Sequence, residues 1–269
     1  MRTGFIGFLW VAMMVVFASC EESSGPGESF TSTQNDSGPK IAGSGKAGSM
    51  ARMTILGNYL YAVDNESLKV FDISKPDKPI YTNDVDLGRD IETIFGFKNH
   101  LYIGSSSAVY IYNVNNPTQP QQVTMIHHMY SCDPVVANDT IAFSTIRSTS
   151  ICRWNNWSVN ELLVLDVSNM NNVTETHNYQ LDFSPYGLGM KDTTLFLCKG
   201  ENGIDLYDIR ELSNTNNFQL NSFNTISGID AFDVIVHEEL LMVVGKDGYF
   251  MYDISDVMNI KKLSEIQTN

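Results

Sequence analysis

From Met50 onward the chain alternates short apolar runs with polar breaks. The runs include "YLYAVD" (Tyr59–Asp64), "HLYIGS" (His100–Ser105), "TIAFST" (Thr140–Thr145), "TLFLCK" (Thr194–Lys199) and "LLMVVG" (Leu240–Gly245). Each holds four to six residues rich in Tyr, Phe, Val and Ile, and Asn, Asp, Gly or Ser bounds it, the signature of strands between turns. No stretch beyond the first twenty residues keeps an apolar rhythm of 3.6 residues over ten positions, so no helix is predicted.

The runs recur as units. "LKVFDISKPDKP" (Leu68–Pro79) returns as "VYIYNVNNPTQP" (Val109–Pro120), "LLVLDVSNMNNV" (Leu162–Val173), "IDLYDIRELSN" (Ile204–Asn214) and "YFMYDISDVMNI" (Tyr249–Ile260). Asp72, Asn113, Asp166, Asp208 and Asp253 mark the repeat, with spacings of 41, 53, 42 and 45 residues. A period near 42 with strand patterning predicts propeller blades of four strands, A to D. The predicted fold is all-β: a five-bladed β-propeller of four-stranded antiparallel blades over residues 50–269. Its closure is left open: Pro39–Gly48 adds a strand, or blade 5 packs on blade 1. A residue copied five times, once as Asn, does not do chemistry. Asx side chains that accept a hydrogen bond from the amide two residues on account for the marker, and the prolines end strand C.

The N-terminus is a different kind of segment. After Met1-Arg2, "FIGFLWVAMMVVF" (Phe5–Phe17) would span only about 20 Å as a helix, short of the roughly 20 residues that cross a bilayer. It reads as a secretory signal. "FASC" (Phe17–Cys20) resembles a bacterial lipobox, which implies that Cys20 is lipidated and begins the mature chain. Residues 1–19 are then the lipoprotein signal peptide. Of the 29 residues in Glu21–Ser49, 17 are Gly, Ser, Pro or Thr, so residues 20–49 form a flexible tether. Glu21 and Glu22 resemble the acidic signals that send some lipoproteins to the outer surface. The expected location is the bacterial outer membrane, with the membrane itself a partner through the lipid, palmitate included, on Cys20.

The repeat resembles the LVIVD-repeat family of bacterial and archaeal surface proteins, and "LLVLDVS" (Leu162–Ser168) is close to its namesake strand. The likeness extends through "GSGKAGSMARM" (Gly43–Met53), "DIETIF" (Asp90–Phe95), "SCDPVV" (Ser131–Val136), "YGLGM" (Tyr186–Met190) and "LSEI" (Leu263–Ile266). These stretches resemble the family's lipoprotein branch. The resemblance implies a propeller at the cell surface and no reaction.

Charge narrows the partners. With 31 acidic against 17 basic residues and a formal charge of -14, the surface repels polyanions, which excludes nucleic acid as a partner. In a propeller the D-to-A connections and B-to-C loops open on one face around the channel. Arg52, Glu92, Cys132 with Asp133, Tyr186 and Asp230 through Asp233 reach it at the starts of the A strands. Glu92, Asp133 and Asp230 or Asp233 could ring the channel mouth with Arg52 as counter-charge; alternatively they cap backbone amides. Blade 3 carries an inserted loop, "TIRSTSICRWNNWSVNE" (Thr145–Glu161), whose Arg147, Arg153, Trp154 and Trp157 are residue types enriched in binding hot spots; alternatively its tryptophans fold back on the blade. With Cys20 lipidated, topology brings Cys132 and Cys152 together as a disulfide, closing a loop of about 20 residues worth roughly 3 kcal/mol. Cys198 reads as a buried free thiol. His127 and His128 match no metal spacing and point to opposite faces, and no phosphate loop, nucleophile elbow or His-Glu-x-x-His pair occurs. No catalytic residue, metal or cofactor is expected. The expected function is a non-catalytic binding or assembly module for an extracellular protein or glycan. The rival is an extracellular hydrolase or lyase using Glu92, Asp133 and Asp233 in an acidic, cation-binding mouth.

Overall fold

The computed structural model describes residues 48–128, 134–147, 160–210, 212 and 219–268, all within one compact unit, Lys40–Asn269. Among these residues every regular element is a β-strand. Twenty strands form five four-stranded antiparallel sheets, each built from consecutive strands. Blade 1 is β1 (Met53–Leu56), β2 (Tyr59–Val63), β3 (Ser67–Asp72) and β4 (Ile80–Asp86). Blade 2 is β5 (Ile91–Phe97), β6 (His100–Ser105), β7 (Ala108–Asn113) and β8 (Gln121–His127). Blade 3 is β9 (Val135–Ala137), β10 (Ile141–Arg147), β11 (Asn160–Asp166) and β12 (Thr174–Gln180). Blade 4 is β13 (Leu188–Lys191), β14 (Thr194–Cys198), β15 (Ile204–Asp208) and β16 (Ser222–Ile226). Blade 5 is β17 (Ala231–His237), β18 (Leu240–Gly245), β19 (Gly248–Asp253) and β20 (Lys261–Gln267). This is the expected five-bladed propeller.

The repeating marker does the local work expected of it. The Oδ1 of Asp72, Asn113, Asp166, Asp208 and Asp253 accepts the amide of Ser74, Asn115, Ser168, Arg210 and Ser255 respectively, at 2.7–3.0 Å. The next residue in each blade then donates its amide back to the A-to-B turn, as Ile73 does to Asn58 and Ile254 to Glu239. Each C strand therefore ends where an Asx turn takes over its hydrogen bonding.

Packing differs along the ring. In blades 2 to 4 the middle strands are buried on both faces; β14 is buried at all five positions and β10 at its first six. Such strands read as continuous apolar runs because both sheet faces meet a neighbour. Three hydrophobic clusters join blade 1 to blade 2, blades 2 and 3 to blade 4, and blade 4 to blade 5. Among the described residues no such cluster joins blade 5 to blade 1.

The terminal blades show the consequence. In β1 burial strictly alternates, with Thr54 and Leu56 buried while Met53 is 58% and Ile55 42% exposed. In β18 only Leu241 and Val243 are fully buried. On blade 1 the open row Ile55–Leu60–Phe71–Tyr81 crosses all four strands. On blade 5 the open rows are Val244–Tyr249–Ile266 and Ile235–Met242–Met251. Of the two expected closures, direct packing of blade 5 on blade 1 is not found among the described residues, and a strand from Pro39–Gly48 falls, but for Gly48, outside them.

The domain nevertheless begins before Met50. Ser49 is fully buried. Its hydroxyl donates to Asp233 Oδ1 at 3.0 Å and accepts the Leu188 amide at 2.6 Å, while the Met50 amide donates to Asp233 Oδ2 at 3.3 Å. Ala51 then accepts the Ile94 amide from blade 2. Gly48–Ala51 thus crosses the axis, bonding the inner strands of blades 2, 4 and 5.

Candidate functional site

The face bearing the A-strand starts and B-to-C loops carries one contiguous cluster, spanning blades 3, 4 and 5. Tyr186, just before β13, is fixed by its backbone: its amide donates to the Cys198 carbonyl at 2.9 Å, and its carbonyl accepts the Thr145 hydroxyl at 2.8 Å. Arg147 ends β10, paired with Asn160, and its guanidinium carbon lies 4.1 Å from the centroid of the Tyr186 ring. On the blade 5 side Phe232 tilts against the same ring, with centroids 5.4 Å apart. A cation over an aromatic face is worth about 0.5–2 kcal/mol, more as water is removed.

Backbone irregularities aim these side chains. Phe232 falls where the β17–β18 register shifts between Ala231 and Asp233, and Glu92 falls at the matching shift between Ile91 and Thr93 in β5. A bulge turns one extra side chain away from the sheet's regular alternation. Gly200 completes the floor. Its φ is +58°, and a Cβ there would lie 3.0 Å from Tyr186 Cε2 and 3.4 Å from Asp230 Oδ1. Only a residue without a side chain leaves room for that tyrosine and keeps Asp230 beside it.

The remaining sequence candidates divide. Arg52 donates to Asn65 Oδ1 and to the Ile91 carbonyl, both at 2.9 Å, bracing blade 1 against the start of β5. Asp233 is engaged by the chain itself through Ser49 and Met50, and desolvation pushes its carboxyl up to about 6 against the opposing pull of those hydrogen bonds. Glu92 has an interaction of its own. The structure therefore brings Arg147, Tyr186 and Asp230 together and gives Arg52 and Asp233 bracing contacts at the inner strands. Cys20, Cys132, Asp133, Cys152, Arg153, Trp154 and Trp157 lie outside the described residues, and with them the expected lipid site, disulfide and tryptophan loop. Cys198 is a buried free thiol. Thr145–Arg147 and Asn160–Glu161, expected in the inserted loop, instead extend β10 and β11.

Two features escaped sequence reading. Phe232 sits in a segment whose register only the bulge determines. The Lys199–Asp205 ion pair, 2.7 Å long and largely buried, joins neighbouring strands of blade 4, and Asp205 also accepts from Thr225 and Tyr207. Alternation within "LCK" and "IDLYD" could have suggested that pairing. Among the described residues no group of three or more His, Cys, Asp or Glu could hold a metal ion, and no helix is long and apolar enough to cross a membrane.

Residues 45–86 and 157–180 match the family described as LVIVD repeat. Two segments of the chain thus match this repeat. The first spans blade 1, and the second covers β11 and β12 of blade 3. No curated protein matches the chain. Among solved structures it is similar to a functionally unknown protein from Desulfotomaculum acetoxidans, with a TM-score of 0.60, 12% identity and coverage of 79% of this chain and 67% of that one. It is also similar to a periplasmic gluconolactonase from Pseudomonas aeruginosa, with a TM-score of 0.57, 11% identity and coverage of 79% and 68%. A third is the computationally designed Ika8 protein, with a TM-score of 0.55, 12% identity and coverage of 80% and 60%. The match thus spans 60–68% of the length of these structures. At such identities the chain shares their fold, and the likeness extends no further.

Proposed function

We propose that this chain is an envelope lipoprotein, anchored through Cys20, whose propeller is a non-catalytic binding module for an extracellular protein or glycan. The observation that carries the reading is the Arg147–Tyr186–Phe232 stack, drawn from three blades at one face. Arginine and tyrosine are the residue types that dominate binding energy when a partner covers them. A guanidinium resting over a ring presents its donors with less rotamer entropy left to lose.

The test is capture from the native envelope with the full chain and with Arg147→Ala and Tyr186→Ala. Retention of a partner by the parent and its loss from both folded variants supports the reading. Equal capture by all three sinks the role of this face. For the anchor, Cys20→Ser should move the protein from the membrane to the soluble fraction; a variant that stays membrane-bound overturns lipidation at that residue.

A further inference from the structure

Every large hydrophobic side chain exposed among the described residues belongs to blade 1 or blade 5: Met53, Ile55, Ile80 and Tyr81 on one, Tyr249, Met258, Leu263 and Ile266 on the other. Terminal repeats of stacked architectures ordinarily present polar outer faces, because nothing follows them. Among the described residues neither end is capped, and the middle strands of the open blades are as apolar as the enclosed ones.

The two faces are opposite halves of one interface that the chain already makes. Counting back from Asp72 and Asp253, open Met251 corresponds to Val70, which packs on blade 2, and open Phe71 corresponds to Tyr252, which packs on blade 4. Blade 5 thus shows the face a blade offers its successor, and blade 1 the face offered to its predecessor. The chain carries its own complement.

We propose that two copies of this chain associate head to tail, blade 5 of each packing on blade 1 of the other. A blade face of four strands about 4.8 Å apart and about six residues long covers roughly 400 Å² per partner. One contact buries about 800 Å², below what a stable interface needs, whereas the two contacts of a closed pair reach about 1,600 Å². Area therefore favours the closed two-fold pair, in which each contact is made twice, over an open chain of single contacts.

The experiment is sedimentation of the full chain carrying Cys20→Ser, so that no acyl group drives association, alongside Tyr81→Glu and Tyr249→Glu in that background. The parent should sediment at twice the chain mass at micromolar concentration, and each variant at the chain mass with unchanged circular dichroism. Mixing the two variants leaves one intact contact of about 800 Å² and one altered on both faces, so the mixture should also sediment at the chain mass. Should a glutamate disturb the fold, Tyr81→Ser and Tyr249→Ser replace it. A parent that stays monomeric, a variant that keeps the doubled mass, or a mixture that pairs as tightly as the parent each overturns the proposal.

Discussion

Asp233 carries the sharpest consequence of burial. Its folded carboxyl titrates near 6 against an ordinary 3.8, so the folded state holds the proton more tightly than the unfolded one. The stability this group contributes is therefore complete below its unfolded value and lost as pH rises through about 6. A gap of that size corresponds to about 3 kcal/mol. The expected outcome is that thermal unfolding midpoints fall between pH 5 and pH 8, and that Asp233→Asn flattens the fall. At pH 5 the asparagine variant should be the less stable, because its amide nitrogen cannot accept the Met50 N–H. Gly187 tests the same spot sterically. A Cβ there would sit 2.1 Å from Asp233 Oδ1 and 2.8 Å from its Cα. Gly187→Ala should cost about 1–3 kcal/mol in urea unfolding, the usual penalty for overpacking. Cys198 provides a third readout: burial raises its thiol well above the ordinary range, so thiol reagents should label it only as fast as the native state opens.

At the scale of elements, the five Asx turns are the most legible part of the chain. Asn113→Asp should leave stability unchanged within error, since four of the five positions are already aspartate, while Asn113→Ala should lose about 1 kcal/mol by chemical denaturation. Strand number, blade order and the C-strand stops were all readable, because turn chemistry and apolar runs are local signals. The mouth was readable in part. Tyr186 follows from counting residues to the start of strand A and Arg147 from the residue types of the inserted loop, but Phe232 required a bulge, and one inserted residue reverses which way a side chain points. Asp233 sits in the same shifted register. Sequence placed it at the mouth with Asp230, whereas the structure turns it toward Ser49, a partner 184 residues away that no local pattern could indicate.

At the scale of the whole molecule, periodicity counted the blades without revealing whether the ring closes. Strand β18, "LLMVVG", reads as apolar as the fully buried β14, "TLFLC", yet it buries one face only. Hydrophobicity records that a face is meant to be covered, not what covers it. The charge of -14 per chain adds a condition on the head-to-tail pair: like-charged copies repel across solvent, and salt screens that repulsion over about 10 Å at 0.1 M. The dissociation constant should therefore fall as salt is raised from low to physiological strength, as read by sedimentation at a series of concentrations.

The buried Ser49 also sets a timetable. The chain emerges from its N-terminus during synthesis, so Gly48–Ala51 exists long before the strands that hold it. Leu188 and Asp233, its partners in blades 4 and 5, follow 139 and 184 residues later. Blades 1 to 3 can assemble by neighbour contacts as they appear, but the axis stays unfilled until nearly the last blade is made. A chain stopped before β17 would hold its opening segment with half its bonds missing, which makes completion of the final blade the step that locks the beginning of the protein in place.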